Sequence, residues 1–328
     1  MPKLVVAPDK FRGSATAIEA TDAIAEVAEE LGWDVDRAPV SDGGEGFCSV
    51  LGGRARSVTV HGPLGEMVES AWYELDGGTT GAIEMAMASG LVLAGGEEAN
   101  DPMRAGTAGV GELIAAAVQG GMRRILVGMG GSASTDGGWG AIEALEPRSR
   151  LSGVRIEVAC DVKTRFVDAA PIFSPQKGAT PAQVEMLTRR LERLAQVYLQ
   201  RYGVDVVDLE GSGAAGGLAG GLAALGATLV GGFDLVADRI DLAERIEGAD
   251  LVITGEGLLD EQSFEGKSVG GVVELCREMD VPVVVLAGDA EGEHDVECRT
   301  LIGELGEDRA WDDPIGSLKT VAASVLKR

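Results

Sequence analysis

A glycine-rich segment at residues 128–138 constrains this 328-residue chain more than any other feature. The apolar run Ile125-Leu126-Val127 precedes it and is bounded by glycine, so it predicts a short buried strand. The small side chains that follow would let an anion approach backbone N–H groups and the hydroxyls of Ser132 and Ser134. Asp136 lies beside them as a candidate metal ligand or proton acceptor. The segment therefore indicates a phosphate site, unless its glycines only satisfy the geometry of a tight strand-to-helix turn.

Loops of the same composition recur along the chain, each after a predicted strand. They combine glycine, a small hydroxyl residue and an acid, and they occupy residues 9–14, 41–46, 130–138, 160–162 and 254–267. A strand–helix–strand pattern opens the chain and is typical of a parallel sheet, in which ligands bind beyond the carboxyl ends of the strands. Phosphoryl transfer requires backbone donors, cations and carboxylates together. We therefore predict an α/β fold with one catalytic cleft, and ordinary turn chemistry is the alternative.

The length of the chain predicts two domains, because single cores stop growing well before this size. Alternating apolar residues over 55–74, on either side of Gly62-Pro63-Leu64-Gly65, predict a hairpin and the entry into the second domain. Residues 181–202 predict an amphipathic helix that begins at Pro181.

The acidic composition argues against several classes of function. With 28 Lys and Arg residues against 53 Asp and Glu residues the formal net charge is −25, so neither nucleic acid nor a membrane is expected as a partner. Two histidines are too few to favour a His-based zinc site or a Ser-His-Asp triad. No signal peptide or long apolar span opens the chain, and the four cysteines show no CxxC spacing. We therefore expect a cytoplasmic protein with reduced thiols.

Familiar nucleotide motifs are missing from the sequence. It contains no GxxxxGK[ST] motif, and no GxGxxG opens the first strand–helix unit. Residues 211–221 are almost entirely glycine and alanine. This segment either approaches a nucleotide closely or packs as a tight helix against the sheet.

One set of stretches runs in order from residue 5 to about 290. They are Ala7-Pro8-Asp9 with Phe11 and Gly13-Ser14; Pro39-Val40 with Asp42-Gly43-Gly44-Glu45-Gly46; Gly62-Pro63-Leu64-Gly65; Gly130-Gly131-Ser132-Ala133 with Asp136-Gly137-Gly138; Cys160-Asp161-Val162; Pro175-Gln176-Lys177-Gly178-Ala179; Gly213-Ala214-Ala215-Gly216-Gly217; and Leu251-Val252-Ile253-Thr254-Gly255-Glu256-Gly257 with Asp260, Gln262-Ser263 and Gly266-Lys267. In composition and order these stretches resemble those of the bacterial type-1 glycerate kinase family. The resemblance implies ATP- and Mg²⁺-dependent phosphorylation of D-glycerate to 2-phosphoglycerate. It also implies two α/β domains with the active-site cleft between them. One is flavodoxin-like, with a parallel sheet, over 1–60 plus 270–328, and the other, over 61–269, carries the Gly/Asp-rich loops.

Several positions depart from the family pattern. Lys10 stands where Ser is usual, Arg12 where Lys is usual, and Ser174 replaces Gly. Thr164-Arg165-Phe166 replaces Asn-Pro-Leu, and Leu258 replaces an Arg. Losing the cation at 258 would weaken the grip on a carboxylate or phosphate, and Lys10 could restore the positive charge. A kinase for another small hydroxy acid, or a catalytically impaired member acting as a ligand-binding protein, is therefore the alternative.

The site residues that we predict come from these loops. The catalytic carboxylates are Asp42, Asp136, Asp161 and Asp260, each of which could instead cap a helix or form an Asx-turn. The candidate Mg²⁺ ligands are Asp136, Asp161 and Glu256. The residues expected to bind substrate or nucleotide are Lys10, Arg12, Ser41, Gly43, Gly44, Gly131, Ser132, Ser134, Lys177, Gly216, Glu256 and Lys267. The expected partners are ATP and glycerate, with Mg²⁺ as cofactor, and the oligomeric state is left open, a homodimer included.

Overall fold

The computed structural model describes residues 1–264, 268–292 and 294–327, and it confirms the predicted α/β class. The chain forms two compact units. Unit 1 is discontinuous and comprises Met1–Asp42 and Phe233–Arg328, whereas unit 2 is the continuous stretch Gly43–Gly232.

Strands and helices alternate over most of the chain. In chain order the strands are β1 (Lys3–Val6), β2 (Asp34–Arg37), β3 (Arg54–His61), β4 (Met67–Leu75), β5 (Thr80–Glu84), β6 (Arg124–Gly128), β7 (Arg155–Ala159), β8 (Thr228–Val230), β9 (Leu251–Leu259), β10 (Val283–Ala290) and β11 (Glu297–Thr300). The α-helices are α1 (Ala17–Glu30), α2 (Phe47–Leu51), α3 (Ala86–Ser89), α4 (Ala108–Gln119), α5 (Trp139–Leu145), α6 (Ala169–Phe173), α7 (Pro181–Tyr202), α8 (Leu218–Ala224), α9 (Gly232–Arg239), α10 (Leu242–Ile246), α11 (Ser268–Glu278), α12 (Leu301–Leu305), α13 (Glu307–Asp312) and α14 (Pro314–Leu326). Short 3-10 helices occur at Arg148–Leu151, Pro175–Lys177, Ala214–Gly217 and Glu261–Phe264.

Unit 1 contains a parallel sheet of order β11-β10-β9-β1-β2. Counted within the unit, this is the order 2-1-3-4-5 of flavodoxin-like folds, read from the other edge. β1 lies in register with both neighbours, so that Leu4 pairs with Val35 on one side and with Leu251 on the other. The order reverses between β1 and β9, and such a switch point is where doubly wound folds bind ligands.

The sequence explains why α1 forms on the first connection. Thr16 caps its amino end by accepting the backbone N–H of Glu19, and the Glu19 carboxylate accepts the Thr16 N–H in return. Ala20, Ile24 and Ala28 recur at helical spacing and are fully buried against β1 and its neighbours. Burial of this stripe fixes α1 on the sheet and thereby fixes where the loop after β1 must lie.

Unit 2 contains a mixed sheet of order β3-β4-β5-β6-β7-β8. β3, β4 and β5 pair antiparallel, which confirms the hairpin expected over 55–74, and β5 to β8 run parallel. Ile125, Leu126 and Val127 of β6 are fully buried, as the apolar run predicted. Because β6 and β7 are parallel neighbours, the segments that follow them emerge at the same edge of the sheet.

The two units divide the chain at different points from those expected from the sequence. The expected domain boundaries lie near residues 60 and 270, whereas the units divide at 42/43 and 232/233. The difference follows from strand pairing. β3 hydrogen-bonds to β4 and so belongs to unit 2, and β9 hydrogen-bonds to β1 and β10 and so belongs to unit 1.

β9 is also longer than the sequence predicts. We expected a loop from residue 254, because glycine is depleted in strands. In the structure pairing with β10 continues through Ala287–Glu256 to Ala290–Leu259, so the loop begins only at Asp260. The neighbouring strand supplies hydrogen bonds that override the local preference of Gly255-Glu256-Gly257.

Within the described ranges, no helix is long and apolar enough to cross a membrane.

Candidate active site

Gly43 and Gly44 pack directly on the start of the glycine-rich segment in unit 2. A Cβ atom placed on Gly130 would lie 2.5 Å from Gly44 Cα, and one on Gly128 would lie 2.5 Å from Gly43 O. Gly43 itself has φ +83°, and a Cβ atom there would lie 3.0 Å from the Cβ and O atoms of Ala159 at the end of β7. Side chains at these positions would separate the segments, so the structure places Gly43 and Gly44 where they bring two backbones together.

The Asp136 carboxylate accepts several hydrogen bonds at the start of α4 and α5. Its Oδ2 atom accepts the Thr107 N–H (3.0 Å), the Thr107 hydroxyl (2.7 Å) and the Gly140 N–H (3.1 Å). Its Oδ1 atom accepts the Gly138 N–H at 3.0 Å, and the Thr107 hydroxyl accepts the Ala141 N–H in turn. The carboxylate therefore ties the first turns of α4 and α5 together, and such helix capping is the alternative to a catalytic role.

A buried lysine lies beneath the glycine-rich segment. Lys177 is only 2% exposed, and its Nζ atom donates to Ser132 Oγ and to Ser134 O, both at 2.7 Å. Burial lowers the pKa of Lys177 to about 7, against the opposing influence of the Asp136 carboxylate. An ammonium group can donate three hydrogen bonds, and Lys177 makes these two. A titratable cation of this kind in a loop rich in N–H donors is typical of a functional site.

Exposure divides the segment into two parts. Gly131 is exposed and Ser132 is half-buried, whereas Ser134 is fully buried and Asp136 is buried. Gly131 has φ +70°, and its carbonyl accepts the Leu91 N–H at 2.8 Å. Solvent, and hence a phosphate, can reach residues 130–132, with the Lys177 ammonium directly behind Ser132.

The small-residue segment at 211–221 packs on the buried part of the same loop. Gly216 has φ +66°, and a Cβ atom there would collide with Ser134 O. Gly217 would meet Gly137 Cα at 2.9 Å, and α8 is buried along its whole length. Of the two alternatives for this segment, tight packing describes the observed contacts.

Two further carboxylates lie at strand ends of unit 2. Asp161 follows β7, is partly buried, and accepts the Gly232 N–H on Oδ1 at 2.5 Å. Glu84 ends β5 and accepts the N–H groups of Cys48 (2.8 Å) and Gly46 (3.4 Å) at the start of α2. Glu84 thus holds the end of the loop that contains Gly43 and Gly44 in place.

In unit 1, the end of β1 carries a compact charged cluster. Asp9 is buried, its Oδ2 atom accepts the Ser268 hydroxyl at 2.7 Å, and its Oδ1 atom accepts the Lys10 N–H at 2.6 Å. Lys10 Nζ lies 3.6 Å from Asp9 Oδ1 and donates to Asp42 Oδ1 at 3.3 Å. The Asp9 N–H donates to Gly255 O, so the cluster lies at the switch point between β1 and β9.

Burial raises the pKa of Asp9 and the nearby Asp42 carboxylate adds to the rise, although Lys10 and the Ser268 hydroxyl oppose it. Burial alone would lower the pKa of Lys10. The two carboxylates outweigh it, and the pKa of Lys10 is raised. Lys10 is therefore a charged bridge between Asp9 and Asp42.

The other predicted residues of unit 1 differ in their surroundings. Ser41 is fully buried, Arg12 is exposed beside Gly13, and Glu256 is half-buried within β9. The Asp260 Oδ1 atom accepts the N–H (3.0 Å) and the hydroxyl (3.2 Å) of Ser263, so Asp260 caps a 3-10 helix. Lys267 lies outside the described residues.

No group of three or more His, Cys, Asp or Glu side chains in residues 1–264, 268–292 and 294–327 is arranged to hold a metal ion. Magnesium in kinases commonly takes only one or two carboxylates and completes its shell with water and phosphate oxygens. Asp161 follows β7 and Glu256 lies within β9, and both carboxylates are hard oxygen donors of the type that this ion prefers.

Sequence reasoning missed several residues of these clusters. Asp9, Glu84, Asn100, Thr107 and Ser268 were not predicted as site residues. Asp9 and Glu84 carried a usable signal, since each is an acid at the end of an apolar run. The others are joined to their partners over 29 to 259 positions of sequence, and no local pattern encodes such contacts.

Comparison with known proteins identifies the chain. The sequence profile of the Glycerate kinase family matches residues 4–149 and 146–303. The chain belongs to the glycerate kinase family. The glycerate kinase of Bacillus subtilis (strain 168) is 39% identical over 324 residues, covering 87% of this chain and 85% of the relative. The glycerate 2-kinase of Escherichia coli (strain K12) is 38% identical over 324 residues, with the same coverage.

A solved structure agrees with the family assignment. The crystal structure of a protein assigned as glycerate kinase 2 from Salmonella typhimurium LT2 matches this glycerate kinase family member with a TM-score of 0.85 at 34% identity. The match covers 99% of this chain and 97% of the other. This member of the glycerate kinase family is therefore a kinase, as the loop composition predicted.

Proposed function

We propose that this kinase transfers the γ-phosphoryl group of ATP to D-glycerate, with Mg²⁺, and releases 2-phosphoglycerate. The observation that carries the proposal is the buried Lys177 ammonium behind Ser132, in a loop that exposes backbone donors at a sheet edge. The similarity to a glycerate 2-kinase supports the substrate and the position of the transferred group.

The phosphates of ATP would bind at residues 130–132. Gly131 leaves the backbone accessible and Ser132 offers a hydroxyl. Of the three donors of the Lys177 ammonium, two bind acceptors among the described residues, and the third can bind a phosphate. A phosphate close to Lys177 favours its charged form, so nucleotide binding should be accompanied by proton uptake near neutral pH. The positive charge of Lys177 would then stabilise the negative charge of the phosphoryl group during its transfer.

The acid substrate would be held by the cations of unit 1. Arg12 is exposed and can bind a carboxylate bidentately. The Asp42 side chain is 30% exposed, and the Lys10 bridge holds it in one orientation. We assign Asp42 as the group that accepts the proton of the attacking hydroxyl as that oxygen bonds to the γ-phosphorus and ADP leaves.

Asp161 would hold Mg²⁺, with Glu256 as the second candidate. Asp161 keeps one oxygen on the Gly232 N–H, which fixes the direction of the carboxylate. When bound, the ion neutralises charge that develops on the phosphate oxygens. Asp136 keeps its loop in place instead, because both of its oxygens already accept backbone or hydroxyl donors, and Asp260 caps the 3-10 helix that follows β9 through its Oδ1 atom. Four free cysteines, Cys48, Cys160, Cys276 and Cys298, support our placing of the enzyme in the reducing cytoplasm.

A coupled ADP-release assay tests the proposal. Purified protein is supplied with ATP, with or without Mg²⁺, and with D-glycerate, L-glycerate or other small hydroxy acids. We expect D-glycerate to give the highest kcat/KM, and phosphorus NMR to identify 2-phosphoglycerate as the product. Preference for another hydroxy acid would overturn D-glycerate as the substrate and would point to the departures from the family pattern at positions 10, 164–166 and 258. Nucleotide binding without turnover on any acid would make the protein a ligand-binding member of the family.

A further inference from the structure

Asn100 is the single asparagine of the chain, and it is buried. It lies in the connection between α3 and α4, far in sequence from the residues that it contacts. Its Nδ2 atom donates to Ala133 O at 3.1 Å and to Lys177 O at 2.8 Å. One side chain therefore joins the glycine-rich segment to the 3-10 helix that carries Lys177.

The hydrogen bonds of Asn100 leave its other polar atom unpaired. Both partners are carbonyl oxygens, which fixes the NH₂ group toward them and the Oδ1 atom away. Among the described residues Oδ1 is buried with no hydrogen-bond partner. A buried unpaired acceptor lowers stability, so its presence in a chain otherwise without asparagine calls for a functional explanation.

A second contact supports the same connection. Gly178 ends the 3-10 helix at φ +89°, and a Cβ atom there would lie 2.5 Å from Glu97 O. We call residues 175–178 the Lys177 turn. Residues 97–100 thus pack on this turn through backbone contact at one end and through the Asn100 amide at the other. Both contacts act on the backbone of the turn, whereas the Lys177 side chain extends from it to Ser132 and Ser134.

We propose that Asn100 is a positioning residue of the phosphate site, whose amide holds the Lys177 turn against the glycine-rich segment and so keeps the ammonium behind Ser132. The proposal rests on the proposed role of Lys177 in binding the phosphates of ATP. Loss of the two N–H donors leaves Ala133 O and Lys177 O unpaired and lets water enter between the two segments. The ammonium then loses its alignment with the accessible part of the loop.

Kinetics of Asn100→Leu, which preserves approximate size and removes both donors, give the first test. We expect KM for ATP to rise about 10-fold, as for loss of a contact worth about 1.4 kcal/mol, with KM for the acid changed less than about twofold. The control is Ser174→Ala. Ser174 is a buried polar residue next to the same turn, and its hydroxyl donates to Ala170 O within α6. This control should leave both KM values unchanged.

The titration of Lys177 gives a readout that does not depend on turnover. In protein labelled with ¹³C at the lysine ε carbon, the signal of Lys177 can be assigned among seven lysines by its loss in Lys177→Met. Asn100→Leu should move this titration toward the ordinary range of lysine by a unit or more, and Ser174→Ala should not. If Asn100→Leu does not fold, Asn100→Ala, which also removes the N–H donors and adds no charge beside Lys177, takes its place.

An unchanged Lys177 titration together with an unchanged KM for ATP, in a folded variant, would overturn the proposal. If wild-type protein phosphorylates no acid, the proposed function fails, but the Lys177 titration still decides the role of Asn100.

Discussion

At the scale of single residues, Lys177 carries the clearest conflict between stability and function. A lysine that is 2% exposed has lost most of its hydration, and burial lowers its pKa to about 7 from the ordinary value of 10.5. Each unit of pKa corresponds to about 1.4 kcal/mol, so the charged form is held at an appreciable cost in folding free energy. Such a group is retained in proteins where its charge is needed for binding.

The pH dependence of stability provides a direct test of this burial. Between about pH 7 and pH 10.5 the unfolded chain binds a proton at Lys177 that the folded protein does not. The free energy of unfolding of wild-type protein should therefore rise with pH over this window relative to that of Lys177→Met, and the full cost should be present below pH 7. Urea unfolding of both proteins from pH 6 to pH 9.5 measures the difference. Lys163→Met, at an exposed position, should show no such trend.

Asp136 provides a second residue-scale prediction. Because its oxygens accept three N–H groups and the Thr107 hydroxyl, Asp136→Asn must place an NH₂ group against at least one donor. We expect a loss of about 1–3 kcal/mol in unfolding free energy. Thr107→Val removes the bond from the Thr107 hydroxyl to Asp136. If the role of Asp136 is structural, this variant should lower both the unfolding free energy and kcat, as Asp136→Asn does. A fall in kcat of about 100-fold in Asp136→Asn alone, with stability unchanged, would instead give Asp136 a chemical role.

At the scale of elements, the packing of residues 211–221 against the glycine-rich segment decides the shape of the site. The 3-10 helix Ala214–Gly217 and α8 approach residues 134–138 so closely that backbone meets backbone. Tyr198 of α7 adds a hydrogen bond from its hydroxyl to Gly137 O at 2.8 Å, and its ring packs edge-on against Phe166. The accessible residues 130–132 thus continue from a rigidly packed base.

Glycine substitutions test this packing. Gly216→Ala should lower the free energy of unfolding by at least about 2 kcal/mol more than Gly203→Ala. Both positions have positive φ, +66° and +72°, so both variants strain the backbone by about 1–2 kcal/mol. Only at Gly216 does the added Cβ meet another segment, whereas it meets nothing within 4 Å at Gly203. Equal losses by urea unfolding would show that the 211–221 segment can move away from Ser134.

At the scale of the whole molecule, unit 2 is a continuous stretch and unit 1 is assembled from the two ends of the chain. Each has its own sheet and its own buried cluster of apolar side chains. A unit with its own core and sheet meets the usual criteria for independent folding.

Two fragments test the observed boundaries against those expected from the sequence. A fragment of residues 43–232 should unfold cooperatively on heating, because it keeps the whole mixed sheet. A fragment of residues 61–269 should not, because it separates β3 from β4 and carries β9 without β1 and β10. Circular dichroism with thermal melting distinguishes the two, and cooperative folding of both would show that β3 is dispensable to unit 2 and that β9 without its partner strands does not prevent folding.

Local sequence patterns determined the class of the fold, most of its elements and the character of the site. Hydrophobic periodicity identified α1, α7 and the buried strand β6. The spacing of apolar residues along a segment is enough to predict the buried face of a helix or a buried strand. Glycine, hydroxyl and acidic residues after strands indicated phosphoryl transfer and included Ser132, whereas Lys177 was predicted through the resemblance to the family. The two side chains do meet in the structure.

Tertiary structure decided which of these polar residues bind one another and therefore what each can do. Asp136 meets Thr107 across 29 positions, Asn100 meets Lys177 across 77, and Ser268 meets Asp9 across 259. β9 extends through Gly255-Glu256-Gly257 because β10 lies beside it. Contacts of this kind depend on how strands pair and how loops cross, and the free energy of those pairings comes from partners that no local stretch of sequence contains.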